Sequence, residues 1–260
     1  MQVQRQQTQD EIIEALQRQV DELTEANFLL EDRLERKEQF IAMIAHELRG
    51  PLTPIISYAQ MVARPAQRPE TIQRGTKVVI SQARRLTRLV DDLLDSSRLS
   101  SGQFKLVREA CDIVALAKEV VEELRPLAPY HTLVLELPST SIIGTWDRGR
   151  LEQVLGNLLD NAIKYSDEHT VVTLRIWEDD ESDNSVHVSI HNQGASIPSA
   201  EMGQLFRPYV RLQATSARAG SGLGLHITKS IIEAHGGALR LEPHTTDGQG
   251  TTFSFDLPIH

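Results

Sequence analysis

Four stretches of this chain carry residue types at spacings that can do chemistry. His46 stands beside Glu47 in the run from Phe40 to Thr53. A neutral imidazole is a nucleophile near neutral pH, and an adjacent carboxylate can orient it and take its proton. Asn157 and Asn161 lie four residues apart in a helical pattern, which puts two amides on one face. Amide oxygens suit Mg²⁺ held on a nucleotide, where few protein ligands are needed. Lys164, with Tyr165 at the start of the next turn, adds positive charge for phosphate. The run Arg218 to Leu225 contains Gly220, Gly222, Leu223 and Gly224 ahead of an apolar helix. Backbone donors free of Cβ crowding at a helix start form an anion site. No Gly-Lys-Ser/Thr step follows, so this is not a Walker A loop, and no clear βαβ unit surrounds it as a dinucleotide fingerprint requires. The fourth stretch, Ile190 to Pro198, is a strand ending in a glycine turn at Gly194, where Asn192 offers an acceptor for the amino group of adenine. Each has an ordinary reading as well: an exposed histidine, a polar helix edge, a glycine loop, a turn. His46, the Asn157 helix and the Gly220 run, in that order on one chain, are the parts that phosphoryl transfer from ATP to a histidine needs.

These residues must be held by elements. Residues 11–45 read as a coiled coil. Ile13, Val20, Asn27, Leu34 and Ile41 take the first heptad position, and Leu16, Leu23, Leu30, Lys37 and Ile44 the fourth. A stripe of this kind needs a partner. Asn27 within it is best satisfied by the same residue on a parallel twin, which fixes register and favours two strands. A single helix packed on its own domain is the alternative. The frame continues to Leu48, which sets His46 on the outward side. Pro51 and Pro54 free the carbonyls of Glu47 and Gly50 and make a bendable point after the histidine. Val62 to Glu70, with Pro65 and Pro69, reads as a turn. A second amphipathic helix is expected from Thr71 to Leu99, and two such hairpins make a four-helix bundle. Ser100, Ser101 and Gly102 form the joint to the next domain.

Beyond Phe104 the pattern is mixed. Helices are expected near 112–125, 149–165 and 222–235. Strands are expected at 132–137, 170–177, 186–191, 238–241 and 251–257. The interleaving is too irregular for a doubly wound parallel sheet and fits an α+β two-layer sandwich. Three domains are expected: a coiled-coil signalling helix at 1–38, a dimerising helical hairpin at 39–101 and an α+β domain at 104–260.

Composition narrows the classes. The net charge is −9, which disfavours nonspecific nucleic-acid binding; Arg84, Arg85 and Arg88 read as a solvated face or a docking patch. No run reaches the roughly 18 apolar residues of a membrane span, and the glutamine-rich start has no signal-peptide pattern. A cytoplasmic chain without membrane contact is expected, as a whole protein or as the inner part of a longer sensor. Cys111 is the single cysteine, so no internal disulfide forms. His187 and His191 share a strand face but lack a third metal ligand nearby.

Taken together the residues resemble sensor histidine kinases of two-component systems. The phosphoacceptor box of that family looks like His46 to Leu52, its N box like Asn157 to Tyr165, and its F box like Leu205 to Tyr209. Its G2 box looks like Gly220 to Leu225, and its last strand like Gly250 to Phe253 with Leu257 and Pro258. The resemblance implies an all-α dimeric phosphotransfer bundle followed by a Bergerat-type ATP-binding fold shared with gyrase, a mismatch-repair ATPase and a heat-shock chaperone. It implies ATP and Mg²⁺ as cofactors and His46 as the residue phosphorylated, with Glu47 as orienting base. Asn161 would carry the Mg²⁺. Asn157 stands where hydrolysing relatives have a glutamate base, and an amide cannot take a proton from water, which favours transfer over hydrolysis. Nucleotide contacts would fall to Asn157, Asn161, Lys164, Tyr165, Asn192, Gly194, Phe206 as lid anchor, Gly220, Gly222, Leu223 and Gly224. The implied partners are a second copy of the chain, a response-regulator receiver domain and an upstream sensor domain or protein. The alternatives are a non-catalytic dimeric scaffold and an ATP-hydrolysing relative with the same pocket.

Two departures from the family pattern matter. Asn192 and Ser196 replace a usual aspartate and glycine. An amide still accepts from adenine but without charge assistance, so nucleotide binding is expected to be retained and weakened. Gly50 replaces a threonine or asparagine that orients water in dephosphorylating the partner. Glycine has no group to do so, so weak phosphatase activity is expected.

Overall fold

The computed structural model describes residues 2–64, 68–178, 184–208, 210, 222–242 and 250–259; side chains are described for all of these but 2–15, 33, 36, 39, 40, 100, 199 and 200. The chain divides into two compact units, Met1–Ala83 and Arg84–His260, and the division falls inside a helix.

The first unit is helical. α1 runs from Gln2 to Val62 without a break, through Pro51 and Pro54. The two prolines leave the carbonyls of Glu47 and Gly50 without their usual donors, and the Thr53 hydroxyl donates to the neighbouring Arg49 carbonyl at 3.0 Å. The heptad stripe is open to solvent: Leu16, Val20, Leu23, Leu30, Leu34 and Ile41 are all more than half exposed. The Ile13 side chain lies outside the described residues. α2 spans Pro69–Ser100, close to the expected 71–99, and approaches the end of α1 where Gly75 faces Tyr58, Met61 and Val62.

The second unit holds the last turns of α2 and an α+β sandwich. A five-stranded mixed sheet has the order β2 (Thr132–Glu136), β4 (Val171–Glu178), β5 (Ser185–Asn192), β7 (Thr251–Pro258), β6 (Ala238–Leu241). Only β2 and β4 pair in parallel. One sheet face is covered by α3 (Ile113–Leu124), α4 (Arg148–Tyr165) and α6 (Gly224–Ala234). The alternation of β5 explains this: Val186, Val188, Ile190 and Asn192 are buried beneath the helices, while His187, Ser189 and His191 take the other face. α4 buries Leu151, Val154, Leu155, Leu158 and Leu159, a stripe at the helical period; each is worth about 1.5–3 kcal/mol when fully buried.

Asp112 caps α3 and Asp147 caps α4, each accepting from backbone N–H groups of the first turn. A separate ribbon of β1 (Glu109–Asp112) and β3 (Ile143–Trp146) was not expected from the sequence. Its Trp146 indole donates to the Pro258 carbonyl at 2.9 Å. A short helix, α5 (Ser199–Met202), precedes the Phe206 segment. Among the described residues no helix is long and apolar enough to cross a membrane.

Candidate functional site

His46 sits on the solvent side of α1, as its heptad position requires. Glu47 is 8% exposed and makes contacts of its own. Successive helical residues do not face each other, so the two side chains leave the helix in different directions. Gly50, one turn later, is exposed, and a Cβ there would meet nothing within 4 Å.

In the second unit the helix-covered face gathers the other candidates. Asn157 and Asn161 lie on α4, half-buried, opposite the start of α6, where a Cβ on Gly224 would come 3.8 Å from the Asn157 amide. Leu223 caps α6 from a fully buried position, with Gly222 just ahead of it. Gly220 and Ser221 lie outside the described residues. Lys164 lies with its ammonium 5.1 Å from the Tyr165 ring centroid, at the end of α4. Phe206 is fixed from three directions. Its ring meets Phe253 edge to face at 6.3 Å, the Lys229 ammonium lies 5.6 Å from it, and its carbonyl accepts from His226 Nδ1 at 3.2 Å.

The turn after β5 is built by close backbone approach. Ser166 and Gly194 form an isolated bridge, and a Cβ on Gly194 would fall 2.0 Å from the Tyr165 carbonyl oxygen. Gly250 has φ +108, and a Cβ there would meet the Asn192 carbonyl at 2.4 Å. Only glycine satisfies both its backbone angle and its space. Thr251 pairs with Asn192 across the sheet, and its hydroxyl donates to the Ala195 carbonyl at 3.4 Å.

Among the described residues, buried Asn157 Nδ2, Asn192 Nδ2, Ser166 Oγ and Thr228 Oγ1 have no hydrogen-bond partner. Each such group costs about 1–3 kcal/mol unless something satisfies it. All four lie on or next to the elements that carry the candidate nucleotide residues. A ligand rich in acceptors, such as a polyphosphate and a base, fits these donors. Amide oxygens on α4 also fit the oxygen preference of Mg²⁺. Among the described residues, no cluster of three His, Cys, Asp or Glu side chains forms a separate metal site. His191 instead bonds Thr252 Oγ1 at 2.9 Å, and His187 stacks on Trp177.

Sequence reasoning missed three features. Thr228 reads as one more residue of an apolar helix. His235 is buried where α4 begins and α6 ends: its Nε2 accepts from the Asp147 N–H at 3.0 Å and its Nδ1 donates to the Ile231 carbonyl at 2.8 Å. Burial holds its pKa below the usual value. Asp95, in the last turns of α2, is bound by Arg150 and by Gln153 Nε2 at 3.0 Å, both in the first turns of α4. Next to it Asp92 is pushed up to about 6, by burial first and then by Asp95 and Asp91. The one signal for these features was Asp147, an aspartate immediately before a helical pattern.

Comparison with known proteins gives this arrangement a setting. The family described as histidine kinase-, DNA gyrase B- and HSP90-like ATPase matches residues 146–260, and the His Kinase A (phospho-acceptor) domain matches residues 36–102. The sensor histidine kinase WalK of Bacillus subtilis is 31% identical over 86% of the chain, which spans 37% of WalK. The solved structure of full-length ShkA in complex with AMPPNP has 27% identity and a TM-score of 0.62, covering 85% of this chain and 46% of ShkA. That of histidine kinase ThkA with response regulator protein TrrA has 25% identity and a TM-score of 0.58, covering 88% of this chain and 64% of ThkA.

Proposed function

The chain belongs to the sensor histidine kinases of two-component systems, and from that premise we propose that it phosphorylates itself on His46 from ATP and passes the phosphoryl group to an aspartate of a response regulator. The nucleotide lies between α4 and the segment Gly220–Gly224. Asn157, Lys164 and Tyr165 face its phosphates, Asn192 and Gly194 meet its base, and Phe206 anchors the lid with Leu223. Asn161 would hold Mg²⁺, which when bound spreads the phosphate charge.

His46 attacks the γ-phosphorus; the new N–P bond forms as the bond to the ADP oxygen breaks, and the imidazole proton passes to Glu47 as orienting base, whose carboxylate must first turn from its buried place toward the ring. Catalysis here is mainly positioning, and with an amide rather than a carboxylate at Asn157 water has no general base at that position. The observation that supports this most is the set of buried, unpartnered donors at Asn157 and Asn192, in an ATPase-like domain that follows an exposed histidine in a phospho-acceptor domain. The response regulator as partner is supported by the ThkA–TrrA complex.

The open stripe from Leu16 to Ile41 supports a parallel homodimer. Because α1 is one helix of 61 residues, about 90 Å long, an upstream sensor can turn it at one end and be felt near Pro51 at the other. Inserting a few residues before Phe40 should then scramble output.

Incubation with γ-labelled ATP and Mg²⁺ tests the proposal. Acid-labile label on the protein that disappears in His46→Ala supports it. Steady release of free phosphate without label means a hydrolase. Neither means a scaffold.

A further inference from the structure

The end of β5 carries a recognition group of a particular kind. Asn192 is 4% exposed and lies on the helix-covered face. Its Nδ2 is buried and, among the described residues, without a partner. The place a Gly194 side chain would take is filled by the Tyr165 carbonyl oxygen, 2.0 Å from that Cβ position, and the same position lies 3.2 Å from the Asn192 nitrogen. Ser166, bridged to Gly194, brings a second buried and unpartnered polar atom, its Oγ. Thr251, paired with Asn192, brings another hydroxyl. These three side chains are neutral, and each can donate as well as accept.

We infer that this end of the site does not distinguish a 6-amino purine from a 6-oxo purine, so that inosine nucleotides bind about as well as adenine nucleotides. The inference rests on the proposed binding of a nucleotide at this site. Adenine shows an N6–H donor beside the N1 acceptor. Hypoxanthine shows the O6 acceptor beside the N1–H donor, the same two places with the polarity reversed. A half-turn of the Asn192 amide reverses its own donor and acceptor in the same space, so it meets either base, and the unpartnered Ser166 hydroxyl rotates to follow. A carboxylate at this position has only acceptors. It suits the amino group of adenine and sets a lone pair against the O6 of hypoxanthine. A site of fixed polarity rejects a substrate that leaves its polar groups unpaired by large factors, whereas a site that can reverse does not.

The test is calorimetric titration of the full chain, with Mg²⁺, by ADP and by IDP, in the wild type and in Asn192→Asp. The two diphosphates differ at the edge in question and lack the 2-amino group that would add a steric term. The wild type should bind IDP within about tenfold of ADP, and Asn192→Asp should widen the ratio by more than about tenfold. A wild-type ratio above about tenfold overturns the inference whatever the variant does, and so does a ratio that Asn192→Asp leaves unchanged. Binding of ADP without IDP overturns the inference and leaves the nucleotide reading standing. Binding of neither sinks both.

Discussion

Asp95→Ala should weaken the sheet-bearing unit by about 2–3 kcal/mol, less than the roughly 3–5 kcal/mol of breaking a fully buried pair. The Asp95 side chain is 5% exposed and that of Arg150 22%. Asp95 accepts from Arg150 Nη1 and from Gln153 Nε2, and a hydrogen bond to a charged group is worth about 1.5–3 kcal/mol. Arg150 keeps Gln153 Oε1 at 2.8 Å and the Phe104 ring at 4.9 Å, and it retains some water, which moves the estimate down. The sequence has two tryptophans, Trp146 and Trp177, and both lie in this unit, so tryptophan fluorescence during urea unfolding of the whole chain reports it alone. With a slope of about 2 kcal/mol per molar, the midpoint should fall by about 1 M. In a double-mutant cycle, Arg150→Ala should cost clearly less in the Asp95→Ala background, with a coupling of about 2 kcal/mol. A midpoint unchanged within error, or a coupling of about 0.5 kcal/mol or less, would refute the reasoning. Arg150 lies two turns before Asn157 on α4, so the same loss would loosen the helix that the nucleotide reading depends on.

Three further outcomes are expected. Gly194→Ala places a Cβ 2.0 Å from the Tyr165 carbonyl oxygen; it should cost about 3 kcal/mol, as overpacking against unyielding backbone does, and a wild-type denaturation midpoint would contradict this. The acid side of stability should depend on two groups of opposite sign. His235, held below its usual pKa by burial, favours a neutral ring that the unfolded chain protonates first, so stability present at neutral pH is lost as pH falls below 6.5. Asp92, at about 6 against 3.8 when free, contributes fully below 3.8 and loses that contribution as pH rises through about 6. Denaturation midpoints across this range should flatten on the acid side in His235→Gln and rise at neutral pH in Asp92→Asn, and unaltered pH profiles would count against both assignments. Gly50→Thr has open space for its side chain and a slightly better helix former; it should fold as well as the wild type and gain partner dephosphorylation, measured as decay of label on the response regulator.

What the sequence disclosed follows the strength of local signals. α4 and β7 lie within a residue of their expected bounds, and β6 matches, because long apolar periods and alternations are written locally. The ribbon of β1 and β3 escaped because each strand has four residues with few apolar positions and finds its partner some thirty residues away. The Asp95–Arg150 pair is separated by 55 positions, and His235 meets Asp147 across 88; no period carries such information. Of the candidate site, the positions of Asn157, Asn192 and Gly224 on one helix-covered face were legible as motifs. The unpartnered atoms of Ser166 and Thr228 were not, since a serine after a helix and a threonine among isoleucines read as a cap and as core.

The most direct test of the account is to find the phosphoryl group itself. After incubation with ATP and Mg²⁺ under alkaline conditions that preserve phosphoramidates, peptide mapping by mass spectrometry should place it on the imidazole of His46. A phosphoryl group on any other residue, or a chain that binds nucleotide and remains unmodified, would contradict it.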